Sequence, residues 1–195
     1  MAGQLVGWLQ SVNVDVVWLQ GPQTLRSIFD YTVANEPDAD LIFYMGHGSA
    51  DAFLGEDVYG AGMLPISDVG KVKKRIVVGL PACLTAENLG PTLVQAGGQA
   101  FVGSTEEMDA QFTEAEHDYM SDWFDYTLTF YKSLVNSLNG GANISDAVNG
   151  ALNDYKARCQ YYASYYEDNL ETWPNADFYY TAVQQNMQFV IGLIG

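Results

Sequence analysis

Two residues of this chain pair a reactive side chain with a position that could use it. His47 lies in "DLIFYMGHGSA" and Cys83 in "KRIVVGLPACLT". Each closes an apolar run, where strands of a parallel α/β sheet open into the crevice that holds ligands. A cysteine acts as a nucleophile when it has thiolate character, and an imidazole within reach supplies that as base or ion-pair partner. The same imidazole can give a proton to a leaving amine. The oxyanion that forms needs donors, and the backbone N–H groups of Gly48 and Cys83 are the candidates. Gly48 in particular lets a carbonyl come close, because it has no side chain. The chemistry on offer is acyl transfer through a Cys–His dyad.

Taken singly, each residue has an ordinary explanation. A cysteine ending a strand is commonly a small buried hydrophobe. A histidine in a Gly-rich turn is commonly a turn or surface residue. Finding both at strand ends, with enough chain between them for a crossover, is what favours catalysis. Ser49 is not read as a nucleophile, because "GHGSA" lacks the G-x-S-x-G elbow. His117 opens a helix in an acidic stretch and reads as a surface residue, with metal ligation beside Glu114 and Asp118 a distant second. Asp51, Glu56 and Asp57 could hold a structural calcium with help from carbonyls, but their spacing does not match a calcium-binding loop. Cys159 reads as packing. With no CxxC and only Cys83, Cys159, His47 and His117 available, a four-ligand zinc site is excluded by ligand count. No cofactor is expected.

These residues need a scaffold, and the apolar patterning outlines one. "VDVVWLQG" reads as a short buried strand, and Leu25, Ile28, Phe29 and Val33 share one face of a following helix. "DLIFYMG", "KRIVVGLPAC", "GGQAFVGST" and "NMQFVIGLIG" read as further strands, and Glu87–Ala96 as a helix with Pro91 near its start. Residues 49–70 read as loops or a short hairpin. A long helix carries Met120, Trp123, Phe124, Phe130, Tyr131, Leu134, Val135 and Leu138, and ends at Asn139-Gly140-Gly141. A second starts near Asn143, with Ile144, Ala147, Val148, Ala151, Leu152 and Tyr155 at core-facing spacing. The tyrosine-rich stretch "CQYYASYYEDNLETWPNADFYY" fits no clear pattern. Strands alternating with helices predict an α/β domain with a mainly parallel sheet. One domain covering 1–195 is the expectation, and the abrupt ending on Gly195 suggests a fragment of a longer protein.

Composition removes some classes of function. The chain has 195 residues with 24 acidic against 8 basic side chains, a net charge of −16. Nucleic acid and anionic membranes are disfavoured as partners, since both call for clustered cations. The one basic cluster, Lys71, Lys73, Lys74 and Arg75, reads as the solvated start of a strand. No run reaches the roughly 20 apolar residues of a membrane span. The N-terminal "MAGQLVGWLQSVN" lacks the features of a signal peptide.

The order strand–His47–Gly48, then strand–Ala82–Cys83, resembles the caspase–hemoglobinase clan of cysteine peptidases. Within it, "ACLTAENLGPTLVQAGGQAFVGST" is similar to the gingipain-like family and the related CHAT domains. "FYKSLVNSLNGGANISDAVNGALNDY" resembles the helix pair that follows in both, and "FVIGLIG" their closing strand. The likeness runs from about Val14 onward, and the order and spacing of short motifs carry it. It implies a caspase-like three-layer sandwich and a cysteine endopeptidase acting on peptide or protein substrates. His47 would be the general acid/base, Cys83 the nucleophile and Gly48 an oxyanion donor. A secreted or cell-surface location is implied, with a cytoplasmic one as the alternative. Glu106, Glu107 and Asp109 fall near the clan's S1 wall, where they would favour Arg or Lys at P1, or they form an ordinary solvated loop. Two departures stand out. The first sheet strand is missing or reduced to "QLVGWLQ", and Pro81 occupies the position of a familiar specificity determinant. An inactive caspase-like scaffold is therefore the competing reading. A weaker third is an acyl transferase or hydrolase using the same dyad on a non-peptide substrate.

Overall fold

In the computed structural model, residues 2–56, 62–108, 119–173 and 175–195 are described. The chain forms two compact units, one of Met1–Glu106 with Ile191–Gly195 and the other of Glu107–Val190. In chain order the first unit contains α1 (Ala2–Ser11), α2 (Arg26–Asn35), β1 (Leu41–Phe43), β2 (Gly48–Ser49), β3 (Ala52–Phe53), β4 (Leu64–Pro65), β5 (Ile76–Val78), α3 (Leu89–Gln95) and β6 (Ala100–Ser104). The second contains α4 (Tyr119–Asn139), α5 (Ile144–Glu167) and α6 (Ala176–Phe189), after which β7 (Val190–Ile194) returns to the first.

The fold is mixed α/β, with a four-stranded, mostly parallel sheet of order β1-β5-β6-β7 flanked by helices. β1 pairs with β5 and β5 with β6, both in parallel, with Phe43 opposite Val78 and Val78 opposite Val102. Every residue of β5 and β6 is buried. Burial on both faces explains why these strands read as unbroken apolar runs rather than alternating ones. A second, antiparallel sheet of β2, β3 and β4 grows out of the segment after β1. Its Phe53 is fully buried, stacks on Tyr44 at 4.3 Å and lies 6.1 Å from Phe101 of β6. This aromatic column belongs to the core that joins both sheets of the first unit to Leu89 and Leu93 of α3.

The N-terminal expectations fail. "VDVVWLQG" joins no ladder among the described residues, and β1, which it would have to flank, is an edge strand of the sheet. A strand exists only through its partner's hydrogen bonds. With none, the segment is extended coil that leaves Val17 and Trp18 exposed. "QLVGWLQ" is not a reduced strand either, for it lies inside α1 and buries Leu5 and Leu9. The apolar face of α2 is only half used: Phe29 is buried, while Leu25 and Ile28 are exposed.

The basic cluster is also more than a solvated strand start. Arg75 is 7% exposed, and its guanidinium donates to the carbonyls of Ala39, Lys71, Val33 and Glu36. Two of these, Val33 and Glu36, lie at the end of α2, where carbonyls lack helical partners. Lys71 pairs with Asp30 at 2.7 Å and with Asp68 at 2.6 Å, and Arg26 reaches Asp68 at 2.6 Å. Only Lys73 and Lys74 remain plain surface cations.

The second unit packs α5 against both α4 and α6. Asn143 caps α5 by accepting from the Asp146 N–H. The tyrosine-rich stretch is the second half of α5, the turn after it and the start of α6. Tyr162, Tyr166 and Tyr179 are buried there while Tyr161 and Tyr165 stay exposed, and the buried rings of Tyr162 and Tyr166 carry hydroxyls that find partners. Tyr166 donates to Asp122 at 2.5 Å, Tyr162 donates to Asp125 at 3.0 Å, and Arg158 pairs with Asp125. Cys159 is fully buried among them, as packing predicts, and burial pushes its thiol up to about 12. No described helix is long and apolar enough to cross a membrane.

Candidate active site

Neighbouring strands set the geometry. β1 and β5 pair in parallel and finish level: the Tyr44 N–H bonds to the Val78 carbonyl at 2.8 Å, and the Gly79 N–H to the Val102 carbonyl at 2.8 Å. His47 and Cys83 thus leave the sheet side by side at its carboxyl edge, the place where a parallel sheet puts a crevice.

The two turns then touch. A Cβ built on Gly48 would lie 2.5 Å from Thr85 Cγ2, 2.7 Å from the Cys83 carbonyl oxygen and 3.0 Å from Ala82 Cβ. Gly48 is glycine because the Cys83 turn fills the space a side chain would need. The sequence reading gave that space to a substrate carbonyl, so this is a correction. Two further ties hold the β2–β3 hairpin against the segment after Cys83. The Leu89 N–H donates to the Ala50 carbonyl at 2.8 Å, and Asn88 Nδ2 donates to Asp51 Oδ1 at 3.0 Å.

The oxyanion donors can be followed through the hairpin. The Leu54 N–H bonds to the His47 carbonyl at 3.0 Å, which makes His47 and Leu54 a hydrogen-bonded pair of the ladder. Paired residues alternate between bonded and non-bonded sites in an antiparallel ribbon, so Gly48, opposite Phe53, turns its N–H away from β3. The Gly48 amide therefore keeps its capacity to bind an oxyanion.

Cys83 is half-buried and outside any disulfide. Its turn is held on all sides: Ala82 N–H to the Gly79 carbonyl, Leu84 N–H to the Glu106 carbonyl at 3.1 Å, and Ala86 N–H to the Ser104 carbonyl at 2.9 Å. Leu84 sits at φ 60°, a left-handed conformation that a side chain of its type adopts only when surroundings over-determine it. Such a residue directly after Cys83 fits the tendency of backbone strain to gather at functional sites.

His47 is exposed, carried on the backbone that follows β1. That backbone is braced by a residue the sequence reading passed over. Tyr44 Oη donates to the His47 carbonyl at 2.7 Å and accepts from the Gly55 N–H at 3.0 Å. Burial raises the phenol pKa above its ordinary value, which keeps the O–H a donor across the neutral range.

The remaining candidates divide. Glu106 is exposed, and its main chain is fastened to the Cys83 turn through Leu84, with Ser104 Oγ also donating to its carbonyl at 2.9 Å. Glu107 is exposed and opens the second unit. Asp109, Glu114, His117 and Asp118 lie outside the described residues, as does Asp57 of the suggested calcium set. Asp51 is engaged by Asn88, and among the described residues no group of three His, Cys, Asp or Glu side chains could hold a metal ion. Sequence reasoning also missed Thr85 and Asn88. Nothing in their types or spacing marks them, since each acts through a neighbour distant in the chain. No family model, no curated protein and no solved structure matches the chain.

Proposed function

We propose that this chain is a cysteine endopeptidase of the caspase-like fold and gingipain-like type, with Cys83 as nucleophile and His47 as general acid/base. The observation that carries the reading is the seating of Gly48 on the Cys83 turn, which brings the His47 segment against the nucleophile's backbone. The Cys83 sulfur attacks the scissile carbonyl, its proton passing to His47. The Gly48 and Cys83 N–H groups bind the oxyanion. Collapse of the tetrahedral species breaks the C–N bond, and His47 protonates the departing amine. Water, deprotonated by His47, then hydrolyses the thioester and releases the acid with the thiol restored. A preference for Arg or Lys at P1 is supported by Glu106, whose main chain is tied one residue beyond Cys83.

The test is covalent. A peptidyl acyloxymethyl ketone with Arg at P1 is expected to modify Cys83, with the reaction abolished in Cys83→Ala and slowed to the rate of an ordinary thiol in His47→Ala. An Asp-P1 reagent is expected to react far more slowly. Modification no faster than that of an ordinary thiol, and indifferent to His47, would overturn the reading in favour of a scaffold that keeps the architecture without the chemistry.

A further inference from the structure

His47 is exposed at the end of the segment that follows β1. General acid/base work nevertheless requires the ring to hold hydrogen-bond geometry with its partner. A fixed main chain supplies part of that order, and one side chain is built into that turn from below. Tyr44, the residue after β1, is 6% exposed and folds back beneath residues 45–47. Its ring stacks on Phe53 at 4.3 Å, and Phe53 lies 6.1 Å from Phe101 of the central sheet. The hydroxyl bridges the two ends of the hairpin, donating to the His47 carbonyl at 2.7 Å and accepting from the Gly55 N–H at 3.0 Å.

Gly46 belongs to the same device. A Cβ built there would stand 2.6 Å from Tyr44 Oη and 2.9 Å from its Cζ. The space beside His47 that Gly46 leaves open is thus occupied by the phenol. The two glycines flanking the histidine have separate tasks: Gly48 lets the hairpin onto the Cys83 turn, and Gly46 lets Tyr44 under the histidine.

We propose that Tyr44 is a positioning residue for His47, its hydroxyl fixing the turn that directs the imidazole toward Cys83. The role rests on the peptidase reading for its purpose, but the brace itself can be tested without catalysis. His47 and His117 are the only two histidines in the chain, so a His117→Gln background leaves a single imidazole to follow by NMR.

In that background Tyr44→Phe keeps the stacked ring and removes only the hydroxyl. The His47 ring resonances are expected to move toward those of a solvated histidine. Labelling of Cys83 by the Arg-P1 ketone is expected to slow by about 10- to 100-fold, the scale of an ångström-level misplacement. The same substitution made on top of His47→Ala is expected to cost nothing more. Gly46→Ala, which keeps the hydroxyl in the chain but pushes the phenol aside, should move the same resonances and covers the case in which Tyr44→Phe folds poorly. Unchanged His47 resonances in both variants would overturn the proposal. So would a labelling loss equally large with and without His47, the mark of a general structural defect. If the resonances move while even the unsubstituted protein fails to react, the positioning role stands and the peptidase reading falls.

Discussion

Adding one methyl group at Gly48 probes the contact on which the site depends. Gly48 does not adopt a positive φ, so alanine brings no backbone strain there and its effect is steric alone. The new Cβ would meet Thr85 Cγ2 at 2.5 Å and the Cys83 carbonyl at 2.7 Å, whereas non-bonded carbons rest at about 3.5–4.0 Å. Thr85 is fully buried and its hydroxyl is bonded to the Ala82 carbonyl, so it cannot turn aside cheaply. The hairpin and the Cys83 turn must separate by roughly 1 Å. Overpacking of this kind costs about 1–3 kcal/mol, offset by about 0.5–1 kcal/mol from the lower chain entropy of unfolded alanine. The net loss, about 1 kcal/mol at the middle of these ranges, lowers the melting midpoint of the first unit by roughly 4–8 °C. The same displacement carries the Gly48 N–H and His47 away from Cys83, and an ångström of misplacement can cost about 100-fold in rate. Thermal unfolding and the rate of Cys83 labelling measure the two consequences. A Gly48→Ala protein with unchanged midpoint and unchanged labelling would refute the contact, and with it the geometric case for the dyad.

Other consequences concern the framework. Arg75→Leu removes a buried donor to four carbonyls, those of Val33 and Glu36 at the end of α2 and those of Ala39 and Lys71 beyond it, and should cost roughly 2–4 kcal/mol in denaturant unfolding. The carboxyl of Asp68 is held below its ordinary pKa, chiefly by the Lys71 ammonium, so its contribution is present above about pH 4 and is lost as the pH falls through the lower folded value. Asp68→Asn should therefore lower stability at pH 7 by about 1 kcal/mol and leave it nearly unchanged in strong acid. Burial lifts the Cys159 thiol from 9.0 to about 12, so the unfolded chain loses this proton first and stability declines as pH rises from 9 toward 12. Cys159→Ala should flatten that alkaline limb in a pH series of melting curves.

The legible parts of the sequence were those in which local pattern and tertiary environment agree. Ile76–Val78 and Ala100–Ser104 are buried on both faces, so their unbroken apolar runs could hardly be anything but central strands. Ala147, Val148, Ala151, Leu152 and Tyr155 bury one face of α5, and their 3.6-residue spacing announced it. "VDVVWLQG" misled for the opposite reason: its β-branched residues suit a strand, but propensity supplies no partner. The tyrosines of α5 stayed obscure because Asp122 and Asp125, which receive the hydroxyls of Tyr166 and Tyr162, lie on another helix.

The site divides along the same line. The sequence by itself picked out His47 and Cys83 and their placement at strand ends, because strand runs and glycine punctuation are local properties. It also marked Gly48 as a position where a missing side chain is used. What required it was decided by the tertiary structure alone. The missing Cβ of Gly46 makes room for Tyr44, and that of Gly48 for the turn at Cys83. Both are contacts of excluded volume. For Gly48 the partner lies far along the chain, and for Gly46 it lies two residues back, reached only because the turn doubles under itself. No spacing rule contains either.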